Sequence, residues 1–450
     1  MLIIIAVKPR VVFFMLLTYL WPVATLGNDL RDFEAKIEPV QVSGRDLASM
    51  IGVSIEDMRV YASRNNKLLP IPFQIDQKNA AGDWVWTKIP ESGKRQIEIP
   101  EDEYLDLPST RSRDLTVDDQ DPPGRALFDS NDLLVFMARD VGNRYTSAPN
   151  IPGSVMVELE ISDPQDGSRG WVYIVHYASN PTALAKQRYV SYQESGRRVV
   201  APGYELVYSP KHSVMLVDLK VDGVSILERS RINGKVKAGM GPLTTTMEFD
   251  ERAIDGYDAG YINGPVRVVK RSVDHVKIKA GMRSPDVNCD HYYYPWHAEV
   301  PMLFSMRFPV KGVEMLAASR YRNDVFRYAR VPQTTASINI ANSQHNLNLL
   351  ADRKEARWLS LHGDRLTVVS RIKVPKGIGE YFSVAPYLAN DSGQAVEAGY
   401  VIKTKKSIKK GEHVLHSVFL ILLDSSDSNA AAKVTGFLDN KLHIEAAALQ

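Results

Sequence analysis

At 450 residues the chain is longer than a single hydrophobic core of about 250–300 residues fills, so two domains are expected. Hydrophobic residues at 44% and charged residues at 24% match an ordinary globular protein and exclude bulk disorder. The formal charge of +2 comes from Lys8 and Arg10, so the remainder is neutral and lacks the concentrated basic field that nucleic acid requires.

Lys8 and Arg10 precede an apolar run over 11–24, and small residues up to Gly27 follow. This is the pattern of an export signal over 1–27. The run of about fourteen apolar residues is short for a span of about 20, although an uncleaved N-terminal anchor is the other reading. No cysteine stands directly after the run, which excludes a lipoprotein anchor, and no later stretch is long and apolar enough to cross a membrane as a helix. A single cysteine forbids an internal disulfide. The expectation is a periplasmic or secreted bacterial protein with no transmembrane segment once the signal is removed.

Residues 28–150 form the first expected domain, a smaller sandwich-like β-domain. A short strand over 37–42 leads into Ser43-Gly-Arg-Asp-Leu, a brief helix with Ser43 as cap. A hairpin follows, with Ser63-Arg-Asn-Asn-Lys as the turn and a second strand over 69–76. Pro70 and Pro72 deny that strand ladder donors, so it belongs at an edge or bulge. Trp84 and Trp86 suggest another strand. Residues 98–132 are rich in acids around Pro122-Pro-Gly, and Leu133-Leu-Val-Phe-Met-Ala then reads as a buried strand ending at Arg139-Asp140.

A soft boundary over 145–155 opens the second domain, 151–450, a large antiparallel β-sandwich. Residues 156–161 alternate, Asp163-Pro-Gln-Asp-Gly makes a turn, and 171–177 return as the hairpin partner. Strands are expected over 189–195, 204–209, 366–372, 381–385 and 399–403. Residues 266–280 read as a strand pair in which His275, Lys277 and Lys279 make a basic outward face. Residues 312–330 are the one helix candidate. The lysine-rich turn 403–410 precedes 414–423, an apolar run expected as a central strand buried on both faces. Many strands and few helices make the fold class all-β.

The chemistry concentrates in residues 255–308, which hold Cys289, His275, His291, His297 and the run Tyr292-Tyr-Tyr-Pro-Trp296. Thiolate, imidazole and carboxylate from Cys289, His291, Asp286 and Asp290 are transition-metal donors. His297, however, lies six residues beyond His291, about 20 Å on a continuous strand, unless Pro295 bends the chain. No metal centre is assigned there. Tyr292 and Tyr294 share a strand face and, with Trp296, suit a sugar subsite where Lys277 or Arg271 pairs with a uronic carboxylate. Core packing of the same aromatics is the other reading. For a lyase, His291, His297 or a tyrosine would be the base and Arg271 the neutralising cation. Asp119, Asp121 and Asp129 offer carboxylates for Ca²⁺, but an EF-hand spacing is absent, and Asp129, Asn131 and Asp132 equally turn the chain into the strand at Leu133. Phosphate-loop, dinucleotide, zinc-protease and serine-hydrolase motifs are absent.

Pro72-Phe-Gln-Ile-Asp, Phe128-Asp-Ser-Asn-Asp-Leu-Leu-Val-Phe-Met-Ala-Arg-Asp and Gly264-Pro-Val-Arg-Val-Val-Lys-Arg-Ser occur in this order. In them the chain resembles a group of uncharacterised exported bacterial β-proteins, a resemblance that implies no particular activity. From about residue 155 onward the layout also resembles, remotely, the β-sandwich of galactose-mutarotase-like proteins. That superfold hosts mutarotases, polysaccharide lyases and non-catalytic domains, and no catalytic residue carries over. Two functions fit: a non-catalytic exported protein binding a polysaccharide or an envelope protein, and a carbohydrate-active lyase or epimerase.

Overall fold

The computed structural model describes residues 33, 36–91, 126–147, 154–238, 245–277, 283–306, 311–332, 337–340, 358–374, 379–391, 395–423, 436 and 439–449. The expected export signal 1–27, the acidic residues Asp114, Asp118, Asp119 and Asp121, and the expected strand end 278–280 lie outside the described residues.

The first strands are β1 (Pro39–Ser43), β2 (Met58–Arg64), β3 (Lys67–Pro70), β4 (Gln74–Asp76), β5 (Leu133–Met137), β6 (Ser154–Ser162) and β7 (Arg169–Tyr177). Next come β8 (Ser191–Gln193), β9 (Arg198–Ala201), β10 (Tyr204–Tyr208), β11 (Leu216–Val221), β12 (Val224–Ala238), β13 (Thr245–Phe249), β14 (Ile254–Asn263), β15 (Val268–Val276), β16 (Val287–Tyr293) and β17 (His297–Met306). The remainder are β18 (Lys311–Arg322), β19 (Phe326–Arg330), β20 (Ile338–Asn339), β21 (Trp358–Gly363), β22 (Leu366–Lys373), β23 (Phe382–Asp391), β24 (Ala395–Thr404), β25 (Gly411–Leu423) and β26 (His443–Leu449). The sheets are antiparallel, and among the described residues no helix reaches seven residues, so the fold is all-β.

Four sheets stack. A five-stranded sheet, β26-β6-β7-β2-β3, packs on a three-stranded sheet, β1-β5-β4, around Val40, Val42, Met58, Leu134, Phe136, Val172 and Ile174. The opposite face of the small sheet, Val135 and Met137, meets Tyr294, Trp296, Val418, Leu420 and Leu422 of the nine-stranded sheet β14-β15-β16-β17-β25-β22-β21-β19-β20. The far face of that sheet, with Tyr293, Val368 and Ile421, closes the largest core against Leu206, Leu219, Tyr400 and Ile402 of the second nine-stranded sheet, which contains β8–β13, β18, β23 and β24. Strands buried between two cores therefore carry apolar residues at both parities, β5 and β25 among them. In β5, Leu134 and Phe136 point one way and Val135 and Met137 the other, while β25 divides Ile421 from Leu420 and Leu422. Their unbroken hydrophobic runs follow from burial on two faces. Strand β25 is the fifth of nine in its sheet, the central position expected for 414–423.

Several local expectations hold. The Ser43 side chain accepts from Arg45 N at 3.3 Å and caps the 3-10 turn Gly44–Asp46. Strands β6 and β7 pair as a hairpin, and β3, with Pro70, is the edge strand of its sheet. The run 69–76 is not one strand: its prolines break it into β3 and β4, which lie in different sheets. Trp84 and Trp86 form no strand, and Trp84 contributes an isolated bridge to Lys78. The largest correction is the helix expected over 312–330, which is β18 and β19. The helix-favouring residues there are overridden by cross-strand neighbours. Val313, Met315 and Tyr321 pack in the large core, and Glu314 on the other face pairs with Lys235 at 3.1 Å and Lys403 at 3.0 Å. The expected strand pair over 266–280 is a single strand, β15, lying between β14 and β16. Chain halves on either side of 145–155 also interleave, since β2, β6, β7 and the C-terminal β26 share one sheet.

The three segments singled out in the sequence meet where the small sheet sits on the large one. Strand β4 pairs with β5 in register, Gln74 opposite Val135 and Asp76 opposite Leu133. Gln74 Oε1 accepts from Val266 N at 3.0 Å and Arg267 N at 2.8 Å, and its Nε2 donates to Asp76 Oδ1 at 2.6 Å. Arg267 Nε donates to Asp76 Oδ2 at 2.7 Å, and the pair is almost fully buried, at 1% and 0% exposure. Gly264 is required here, because a Cβ would stand 2.1 Å from Gln74 Oε1. Replacing one partner strands the other charge, which costs about 3–5 kcal/mol. Asp76→Ala is expected to lower the unfolding free energy by that amount, and Asp76→Leu combined with Arg267→Met by much less. Urea unfolding followed by tryptophan fluorescence measures both, and equal losses in the two variants would contradict this description.

Candidate functional site

The tyrosine run builds a tight turn between β16 and β17. Tyr294 N donates to His297 O at 2.9 Å, and Ile421 N donates to Trp296 O at 2.9 Å. Tyr204 OH donates to Tyr294 O at 2.7 Å and Gly203 N to Pro295 O at 3.2 Å, fixing the turn against the second sheet. Pro295 does bend the chain. The bend stacks His297 on Tyr294, with ring centroids 4.5 Å apart, and leaves Cys289 opposite Met302.

The candidates from sequence fall in separate places. His291 is buried with Tyr208 and Tyr293 on the face toward the large core, and its Nε2 lies 3.1 Å from Ser272 Oγ. Burial, with the nearby Lys270, holds its pKa well below the ordinary histidine range. Burial likewise pushes the Cys289 thiol well up, which leaves no thiolate. Arg271 is gripped by Asp290, with Nε to Oδ1 at 2.5 Å and Nη2 to Oδ2 at 2.8 Å. Tyr292 packs on Trp84 and Tyr294 accepts from Arg267 Nη1 at 2.8 Å, so both line the junction between sheets. Lys277 is exposed beyond the opposite end of β15 and pairs with Asp255 at 2.6 Å. Asp129 Oδ1 accepts from Asn131 N at 2.9 Å and Asp132 N at 3.2 Å, a turn into β5. Thus His297, Tyr292, Tyr294 and Trp296 share one side of the sheet, while His291 faces the other.

Trp296 reaches a cleft of about 480 Å³ whose walls are Arg64, Arg139, Asp140, Gln187, Arg188, Tyr189, Pro202 and Trp296. Arg64 ends β2, and Arg139 with Asp140 follows β5, so one wall belongs to the N-terminal sheets. The other wall comes from the loop before β8 and from the Trp296 turn. The Arg139 guanidinium stands 4.6 Å over the Trp296 ring, a cation–π contact that fixes its plane. Arg188 Nη1 donates to the carbonyl of Gly264 at 2.9 Å and of Val190 at 3.2 Å, and among the described residues neither Arg139 nor Arg188 forms an ion pair with a carboxylate. Tyr189 OH donates to Asp140 Oδ1 at 2.6 Å, whereas Asp140 Oδ2 is buried without a partner among the described residues. Burial pushes the Asp140 carboxyl up to about 6, against the opposing pull of the Tyr189 hydrogen bond and the charges of Arg139 and Arg64. Cationic forks beside a carboxyl that titrates near 6 can hold an anion and regulate its hold.

Most of these residues carry no local signature. Of the cleft residues only Trp296 is among the sugar-subsite candidates of the sequence, and Arg139 and Asp140 read there only as the end of the apolar β5 run. A carboxyl whose folded pKa lies above its unfolded value of about 3.9 favours folding below that value and loses the contribution as pH rises through about 6. Asp140→Asn is therefore expected to flatten the decline in stability between about pH 4 and 6, by an amount on the order of 2–3 kcal/mol. Asp274, also raised to about 6 by burial, titrates in both proteins, so the difference between them isolates Asp140. Identical pH profiles of the urea midpoint would contradict the assignment.

No family model matches the chain, and no curated protein sequence matches it. Among solved structures it is similar to an α-mannosidase from Enterococcus faecalis V583, at 6% identity and a TM-score of 0.48 over 92% of this chain and 44% of that one. A protein in the glycosyl hydrolase family 38 from Enterococcus faecalis gives 6% identity and 0.49, over 92% and 46%. The α-N-acetylgalactosaminidase NagBb from Bifidobacterium bifidum gives 10% and 0.39, over 54% and 38%. The chain spans less than half the length of each of these proteins, and the likeness is one of remote β-rich fold.

Proposed function

We propose that the chain is an exported β-protein that binds a polysaccharide, without catalysis, in the cleft between its N-terminal sheets and its large sandwich. Export rests on Lys8, Arg10 and the apolar run that follows. The observation that carries the binding reading is the cleft itself: planar polar side chains, Arg64, Arg139, Gln187 and Arg188, gathered around Asp140, Tyr189 and Trp296. A concave site with a few polar groups fixed by their surroundings is the ordinary form of a ligand site. The residues expected to do chemistry support a non-catalytic role, since His291 is buried beside Ser272 and Arg271 is held by Asp290.

A carbohydrate-active enzyme, lyase or epimerase, is the second reading, favoured by the Tyr189–Asp140 hydrogen bond beside Arg139. That pair would supply an acid–base couple next to a neutralising cation. One experiment serves both. The mature protein is screened by calorimetry against neutral and acidic polysaccharides, and each mixture is followed for unsaturated products. Binding of at least one polysaccharide, weakened at least tenfold by Arg139→Ala at unchanged thermal stability, is expected. Failure to bind any glycan would refute the proposal, and accumulation of unsaturated product would replace it with the lyase reading.

A further inference from the structure

We infer that the cleft selects a carboxylated sugar, a hexuronate unit of an acidic polysaccharide, whose carboxylate sits between the arginines and Asp140 Oδ2. The inference rests on the polysaccharide reading above and narrows its ligand. Three cations line the cleft and all are arginines, whose planar forks match a carboxylate edge to edge. Arg139 is already oriented by the Trp296 ring, so little side-chain entropy is lost on engaging an anion. Arg188 is similarly held by the carbonyls of Val190, Asn263 and Gly264.

Asp140 supplies the discrimination. Its Oδ1 is used by Tyr189, and its buried Oδ2 lacks a hydrogen-bond partner among the described residues. In the ionised form Asp140 repels an incoming carboxylate. In the protonated form the same oxygen donates to it, and the two carboxyl groups share one proton. Sulfate esters are much weaker bases and gain less from that proton. Methyl esterification of the sugar removes both the charge and the acceptor. The groups that face Asp140 are Tyr189, Arg139 and Arg64, with Arg188 on the opposing wall. Because the Asp140 carboxyl titrates near 6, binding strengthens as pH falls through that value.

The test uses the full mature chain and titration calorimetry at pH 5 and pH 7.5 with oligogalacturonate, its methyl ester, a neutral galacto-oligosaccharide and a sulfated oligosaccharide. Oligogalacturonate is expected to bind about tenfold or more tightly at the lower pH, with the ester and the neutral sugar at least tenfold weaker. Asp140→Asn is expected to keep binding with the pH dependence removed, and Arg188→Ala to weaken oligogalacturonate selectively. Equal affinity for the ester or for the neutral sugar would overturn the carboxylate assignment while leaving the polysaccharide reading intact. Equal affinity for the sulfated sugar would overturn it in favour of a general anion site. No binding to any of the four, together with a negative broad screen, would instead remove the polysaccharide reading on which the inference stands.

Discussion

The buried ion pair of Arg267 with Asp76 governs how the two halves of this molecule meet. Asp76 belongs to the three-stranded sheet, and Arg267 leads into β15 of the large sandwich. Removing two charges from water costs several kcal/mol per ion, and the cost is offset only where geometry and further hydrogen bonds are good. Here Gln74 bridges Asp76 and two backbone amides, and Tyr294 takes a further guanidinium proton. Such a pair adds little net stability over an apolar substitute, but its partners tolerate only one arrangement. It therefore pins the two sheets to each other at one place, with Asp76 on one and Arg267 beside the other.

The pin accounts for the position of the cleft. Strand β5 is held against β4 and against the large sheet, so its end places Arg139 and Asp140 beside the Trp296 turn. The same Tyr294 that receives Arg267 also stacks on His297 and caps the turn with its backbone. One network thus sets both walls. It also explains why the tyrosine run is structural: Tyr292 and Tyr294 fill the junction, Tyr293 fills the large core, and Trp296 alone reaches the cleft.

Much of the fold was legible because period-two alternation and turn residues are local. The β6–β7 hairpin, the Ser43 cap and the two-faced β25 run all followed from neighbours in sequence. The helix expected over 312–330 failed because Glu, Met, Leu and Ala favour a helix in isolation, whereas Lys235 and Lys403 on flanking strands make Glu314 a sheet residue. The cleft was scarcely legible. Its residues come from five separated segments, around 64, 139, 188, 202 and 296, and no spacing rule joins positions that meet only through sheet stacking. The residues with the most chemical promise in sequence, Cys289 and His291, are buried in the large sandwich.

Hydrogen exchange measured by mass spectrometry, with and without oligogalacturonate, tests most directly whether the junction between the sheets is the binding site. The account predicts added protection confined to the segments around 139–140, 187–189, 202–203 and 294–297, at the rim pinned by Arg267 and Asp76. Protection centred instead on 287–291 or on the lysine turn 403–410, with these segments unchanged, would contradict it.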